Sequence, residues 1–446
     1  MKSELLVFSE RITPRLQYIA GLMLGDMLGL QISFTSNQDE YSAFEGARVC
    51  YHNQQIVPGK ELVIIPAGLM TEKGINSHRL SFIDFDSSRA FFPVYNKISP
   101  VPFDLFSASF YLVSRYEEYL PYMRDEHGRM TVNSGIGMQQ GFLQVPVVNR
   151  WALHLKKLLT EIFPWLKFST GEFRFLPTID IDSAWAYRNK GLIRTIGGYL
   201  KDLKSFDLGE MRKRTRVILM LEKDPFDTYG LMHEIHSSFN LQPRFFILFA
   251  DYGLNDKNIP VNNDRFQTLI KSLADYAKVG IHPSYASNRN PALLSKEISR
   301  LSQVIRAEIT FSRQHFLMLS FPDTYRNLIS LDITDDFSMG FAGNPGFRAG
   351  ICTAFKWYDL EAEIPTDLTI HPFALMEGTL RDYLNLDASE AMDYIKPLID
   401  QVKAVNGTFI SLWHNESFSE EKRWKGWVNV YKEMVAYAIG NKIHGF

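Results

Sequence analysis

The stretch FLPTIDIDSAW, Phe175 to Trp185, decides how this chain is read. An apolar run ends in two aspartates one residue apart, Asp180 and Asp182. Alternate residues of a strand share a face, so an extended run here delivers both carboxylates side by side at the strand's end. Two anions that close repel, and burying them unpaired costs free energy. The pair calls for a cation, for chemistry, or for the backbone N–H groups of a following helix, which aspartates cap well.

Working outward from this stretch, a rhythm of short apolar runs and helices sets in after about residue 170. The runs are FRFLPTI, PRFFILF, VGI, HFLML, FSMGF, LTI and TFISLW. Between them, apolar residues recur every three or four positions, as in Phe266, Leu269, Ile270, Leu273, Ala274 and Ala277, the signature of a helix with one buried face. Strands alternating with helices imply βα units and a parallel sheet. About seven such units match the size of a barrel, distorted ones included. The expected fold class is α/β, a distorted (β/α)7 barrel preceded by a smaller mixed α/β domain. Before PWLKFSTGE (Pro164 to Glu172) the chain differs in style, with short runs such as ELVIIPAGLM and longer helical patterns such as VNRWALHLKKLLTEIF. The expected division is 1–168 for an N-terminal domain without assignable chemistry and 169–446 for the barrel.

Composition narrows the function classes. With 46% hydrophobic and 22% charged residues and a net charge of −2, the chain has the make-up of an ordinary globular protein. That balance argues against nucleic acid and against a general acidic-membrane partner. The run RKRTR, Arg212 to Arg216, reads as a solvated helix face. Two distant cysteines, Cys50 and Cys352, exclude a disulfide framework or a cysteine-based zinc site and fit a reducing compartment. The N-terminal segment lacks a signal-peptide layout, and its apolar part, interrupted by Asp26, is too short to span a bilayer. A cytoplasmic location without a transmembrane segment is expected.

The ends of the strand-like runs carry the chemistry. Asp180 and Asp182 follow FRFLPTI, His282 follows VGI, His371 follows LTI and His414 follows TFISLW. Parallel barrels gather their active sites at the carboxyl ends of strands, so four strands deliver ionisable groups to one face. Carboxylate with imidazole is a ligand set for zinc, cobalt, nickel or iron. One aspartate could ligate such an ion while the other serves as a base.

The segments TIDID, GIHPSY, SRQHFL and SLWHN, in this order on a βα-repeat chain, resemble the polysaccharide deacetylases of the NodB-homology type, carbohydrate esterase family 4. The resemblance spans roughly residues 172 to 440, and the extra N-terminal part is similar to that of a divergent bacterial subgroup. It implies a distorted (β/α)7 barrel, one divalent metal ion, zinc first, and removal of an acetyl group from an N-acetylated sugar or glycan precursor. It implies Asp180 as base, Asp182 and His282 as metal ligands and His414 as general acid. The family's second metal histidine falls on Ala286, which cannot ligate, and His315 is the substitute. Arg313 takes the place of the arginine beside the base, with Asp336 where an orienting aspartate is expected.

Around these, Tyr285 and Trp413 are candidate sugar-stacking aromatics and His371 a candidate cleft residue. Arg348, in the glycine-rich FAGNPGFRAG, is a candidate clamp for an anionic group, with a surface salt bridge as the plainer reading. The HEIH of His233 to His236 lacks the spacing of a zincin motif and reads as helix surface. Two rival functions remain: a metal amidohydrolase of a non-sugar amide, and a catalytically silent glycan-binding protein in which Ala286 marks a lost site.

Overall fold

The structure is a computed structural model and describes residues 4–440. Residues 4–64 build a four-stranded parallel sheet from β1 (Glu4–Phe8), β2 (Gln31–Thr35), β3 (Ala47–Tyr51) and β4 (Leu62–Ile64), in the order β2-β1-β3-β4. Both β3 and β4 are buried along their whole length, as parallel strands covered on both faces must be. The helix Pro14–Ala20 starts on Thr13, whose side chain accepts from the Leu16 N–H, and on a proline that fits the first helical position. A hairpin follows, β5 (Phe82–Phe85) and β6 (Ser88–Phe91), turned by Asp86 and Ser87. Both turn residues have positive φ, 48° and 59°, the geometry of a two-residue hairpin loop.

The second sheet has nine strands. These are β7 (Arg174–Ile181), β8 (Arg244–Ile247), β9 (Lys278–Ile281), β10 (Phe311–Ser312), β11 (Asp335–Asp336), β12 (Phe355–Asp359), β13 (Ile364–Ile370), β14 (Leu375–Met376) and β15 (Thr408–His414). Their order is β12-β13-β11-β10-β9-β8-β7-β15-β14, parallel throughout except for the antiparallel pair β12/β13. The architecture is mixed α/β, and among the described residues the hydrogen-bonded ladder is open, with β12 and β14 at its edges. Three strands of only two residues each leave little ladder with which to close a ring. Two expected strands shift accordingly. The run HFLML holds a 3-10 turn, His315–Leu317, after a strand ending at Ser312, and FSMGF lies just beyond β11. Gly280 permits the tight approach of β10 to β9, since a Cβ there would sit 2.7 Å from the Phe311 carbonyl oxygen.

Burial is continuous across the two sheets: one hydrophobic cluster holds Leu5 and Val49 together with Ile179, Ile281 and Trp413. Buried polar contacts tie the same parts together. Arg15 pairs with Glu363. Asn149 accepts from the Cys352 N–H and donates to Thr353. Glu118, wholly buried, receives both Arg115 and Arg348. No helix of the described residues is long and apolar enough to cross a membrane.

Candidate metal centre

Strand alternation along β7 puts Thr178, Asp180 and Asp182 on one face and sends Ile179 and Ile181 into the core. Next to β7 lie β8 and, beyond it, β9, whose end presents His282; on the other side β15 places His414 opposite Asp180 in register. His315 arrives differently. The turn after β10 carries Phe316 and Leu317 at positive φ, 59° and 55°, and this bend puts the imidazole against the strand ends.

Asp182, His282 and His315 converge, with their ligating atoms all within 4.8 Å of one another. His282 Nε2 is 3.3 Å from Asp182 Oδ1 and His315 Nε2 is 3.6 Å from Asp182 Oδ2. Each imidazole is held from behind. His282 donates through Nδ1 to the Arg313 carbonyl, and His315 Nδ1 lies 2.8 Å from Asp256 Oδ1. Such contacts fix ring orientation and leave Nε2 toward the centre, the usual support of a metal-binding histidine. Asp182 Oδ1 is buried without a hydrogen bond. Two oriented imidazoles and an unsatisfied carboxylate oxygen fit a divalent cation of the zinc, cobalt, nickel or iron type.

The electrostatics agree with that donor set. Desolvation works to raise the Asp182 carboxyl, but the charge of His315 and the approach of both imidazoles hold it well below the usual carboxylate range. Burial opposes charge on His315, yet Asp182 and then Asp256 push it up to about 9. Negative potential that retains a proton on an imidazole also attracts a cation.

Asp180 belongs to a second layer. Arg313, wholly buried, donates to Asp180 Oδ1 (2.8 Å), to Thr178 Oγ1 (2.7 Å) and to the Phe337 carbonyl (3.0 Å). Its guanidinium carbon also lies 4.5 Å from the Phe246 ring centroid. The other Asp180 oxygen, Oδ2, lies 3.7 Å from His282 Nε2. Asp336 does not hold Arg313 by a hydrogen bond; it accepts from Ser312 Oγ, Ser338 Oγ and the Ser338 N–H instead. Across the site, His414 Nε2 is 3.9 Å from Asp182 Oδ2, and His414 Nδ1 is 2.9 Å from the buried Glu377. Burial again opposes charge, but Glu377 and then Asp182 and Asp180 hold His414 well above its ordinary value.

Asp180, Asp182, His282, His315 and His414 line a cavity of about 300 Å³ whose wall also includes Arg129, Gln314, Phe316, Tyr383 and Trp424. Arg313 stands behind that wall, against Asp180, and four further candidates also lie outside it. Trp413 is fully buried among Phe418, Trp427 and Tyr431, because alternation along β15 turns it away from the face His414 occupies. The Arg348 guanidinium is spent on Glu118 and the Gly340 carbonyl, so it is neither a loop clamp nor a surface bridge. His371 pairs with Asp335 at 2.6 Å and stacks on Phe337. Tyr285 packs edge-on against Phe316, behind the wall that Phe316 provides, while its N–H donates to Asp256. In the HEIH segment His233 and Glu234 are exposed, as a helix surface requires, but His236 is buried and bonded to the Tyr431 hydroxyl at 2.7 Å.

The supporting carboxylates Asp256 and Glu377 went unread in the sequence. Glu377 follows a two-residue strand, too short for any periodicity, and Asp256 sits nine residues past the end of β8. The signal available for Glu377 was the strand-end rule that exposed His282.

A family of unknown function, DUF7033, matches residues 5–164. Among curated proteins none is similar enough to match this chain. Three solved structures are similar at low identity. A Mycobacterium smegmatis protein assigned as a polysaccharide deacetylase is 12% identical, with a TM-score of 0.41, over 60% of this chain and 83% of its own. The polysaccharide deacetylase Bc1974 from Bacillus cereus is 10% identical, with a TM-score of 0.30, over 61% and 91%. Agd3, a carbohydrate deacetylase, is 8% identical, with a TM-score of 0.39, over 98% of this chain and 84% of its own. All three scores lie below 0.5 and decide neither the activity nor the site of this chain.

Proposed function

We propose that the protein is a metal-dependent carbohydrate deacetylase that removes an acetyl group from an N-acetylated sugar or glycan precursor. The observation that carries this reading is the convergence of Asp182, His282 and His315 with Asp180 and His414 on one cavity, Asp180 and His414 being held from behind by Arg313 and Glu377. In this reading Asp182, His282 and His315 hold the ion. When bound, such an ion supplies Lewis acidity, polarising an acyl carbonyl and making water more acidic. Arg313 keeps Asp180 Oδ1 engaged, which leaves Oδ2 to take the proton of an attacking water. Glu377 keeps the Nδ1 proton of His414 in place, so that Nε2–H is directed at the cavity to protonate the departing amine.

Residues 169–446 carry the chemistry in this proposal, and the open nine-stranded sheet is the counterpart of the distorted barrel. Residues 1–168 contribute the cavity wall at Arg129, which donates to the Phe316 carbonyl at 2.6 Å. Two buried free thiols, Cys50 and Cys352, support a reducing, cytoplasmic setting.

The test is metal content of the purified protein beside His282→Ala and Asp182→Ala, followed by acetate release from acetylated amino sugars. About one transition-metal ion per chain, lost in both variants, and acetate release by the loaded wild type support the proposal. No metal after incubation with zinc, cobalt, nickel or iron defeats it, and retained sugar binding would then favour the silent glycan-binding reading. A bound ion without acetate release would shift the reaction to another acyl group or a non-sugar amide.

A further inference from the structure

Immediately after the first metal-centre strand, the chain forms two helices, Leu192–Lys204 and Leu208–Ile218, packed as a hairpin. The first has bulky aliphatic residues at 192, 193, 196, 200 and 203, the spacing of a core-facing helix. Here that face is outside. The residue this helix buries is Asp202, which pairs with Arg214 of the second helix, while Ile193 is 86% and Leu200 61% exposed. Phe206 at the tip is 87% exposed, and Leu219, Met220 and Leu221, at the end of the second helix, are exposed as well. Soluble monomers rarely leave so many large apolar side chains together in water.

Charge says what covers it. Residues 188–223 contain ten Lys and Arg against four Asp and Glu, a net charge of +6 in a chain whose total is −2, leaving −8 elsewhere. Beside the hairpin lies a cavity of about 650 Å³, lined in part by Lys190, Arg194 and Lys201. Among the described residues none of these three has a carboxylate within ion-pair distance, although Arg194 donates to the Asn258 and Lys257 carbonyls, whereas Arg214 and Lys422 on the same wall are paired with Asp202 and Glu210. Burial, then the charge of Arg194, pushes the Lys190 ammonium down to about 8, as expected for a cation short of a counter-ion. This cavity shares Glu416, Arg423 and Trp424 with the metal-centre cavity.

We propose that the hairpin 192–221 is a docking surface for an anionic lipid bilayer, its aliphatic side chains entering the headgroup region and its cations, with those of the adjoining cavity, meeting lipid phosphates. An apolar face rimmed by Lys and Arg is the pattern of helices that lie in a membrane interface. A second copy of the chain packed face to face on this hairpin is a poorer occupant, because it would bring one +6 surface against another. The proposal is independent of the deacetylase chemistry. It also revises what the near-neutral total charge implied, since the charge is segregated rather than balanced along the chain.

The test is flotation of the full chain with vesicles of phosphatidylcholine alone or mixed with phosphatidylglycerol, at 0.1 and 0.5 M salt. The expected result is at least tenfold stronger partitioning to the anionic vesicles. Raised salt should weaken it, and the double variant Ile193→Glu, Phe206→Glu should abolish it while melting at the wild-type temperature. A second variant, Lys201→Glu with Lys204→Glu, should weaken binding without removing the apolar face. No partitioning to either vesicle, or equal partitioning to both, overturns the proposal. So does a lipid-free dimer in sedimentation velocity that Ile193→Glu, Phe206→Glu dissolves, which would assign the face to a second copy. Binding of inorganic diphosphate without vesicle binding would assign the cavity to a soluble phosphate and likewise overturn it.

Discussion

Glu118→Gln should weaken the whole fold, and the amount can be reasoned from its neighbours. Glu118 Oε1 accepts from Arg115 Nε at 2.7 Å and from Arg348 Nε at 2.9 Å, and Oε2 accepts from Arg348 Nη2 at 2.5 Å. Glu117 adds a second carboxylate, 2.8 Å from Arg115 Nη2. Two guanidinium and two carboxylate groups thus balance in a region where the four side chains are between 0% and 9% exposed. Removing the charge of Glu118 leaves two buried cations facing one anion. Breaking a buried pair in this way costs about 3–5 kcal/mol. With an unfolding entropy of about 2 cal/mol/K per residue, that cost lowers the melting temperature of a 446-residue chain by roughly 3–5 °C. The pair Glu118→Gln, Arg348→Gln restores neutrality and should recover at least about 1 kcal/mol relative to the single variant. Thermal melts and urea titrations of the three proteins measure this directly. A single variant melting within 1 °C of wild type, or a double variant less stable than the single, would refute the charge-balance reasoning.

Trp413→Ala should cost about 3–5 kcal/mol, because its indole is fully buried, and should leave metal stoichiometry unchanged; loss of metal without loss of stability would move Trp413 back into the site. If the proposed deacetylation holds, Glu377→Gln should lower its rate by about 100-fold with metal content intact, since His414 loses the carboxylate that holds its proton. An unchanged rate would exclude His414 as the acid. The buried His236 titrates near pH 4 in the fold against 6.5 outside it, driven by desolvation and then by His233. The unfolded chain binds the extra proton first, so stability is lost as pH falls from 6.5 towards 4, by up to about 3 kcal/mol. In His236→Gln the slope of stability against pH in that window should be smaller by about one proton; an unchanged slope would contradict the assignment.

Much of the candidate site could be read because alternation and strand ends are local properties. Asp180 and Asp182 share a face on account of their spacing, and His282 and His414 each follow an apolar run that forms a strand. The same alternation, applied one residue earlier, would have turned Trp413 into the core. His315 was legible through motif order alone, since a two-residue strand and a turn at positive φ have no apolar period. Arg348 was misread for another reason: its partner Glu118 lies 230 residues away, and no local pattern reports a distant counter-charge. The stripe at 192–203 shows the limit of periodicity, which identifies an apolar face and says nothing of what covers it. Ring closure was equally invisible, because it depends on ladder length at β10, β11 and β14.

Glu118 and Arg348 neutralise one another, as do Arg15 and Glu363, across the division between the first sheet and the second. The two halves of this chain are therefore bound to evolve as a couple. A recombination that grafted residues 5–164 onto a different second half would strand buried charges on both sides of the join. Chains that carry this segment are expected to vary in concert at positions 15 and 363 and at positions 118 and 348. A homologue with a neutral residue at one position of either pair should carry a neutral residue at the other.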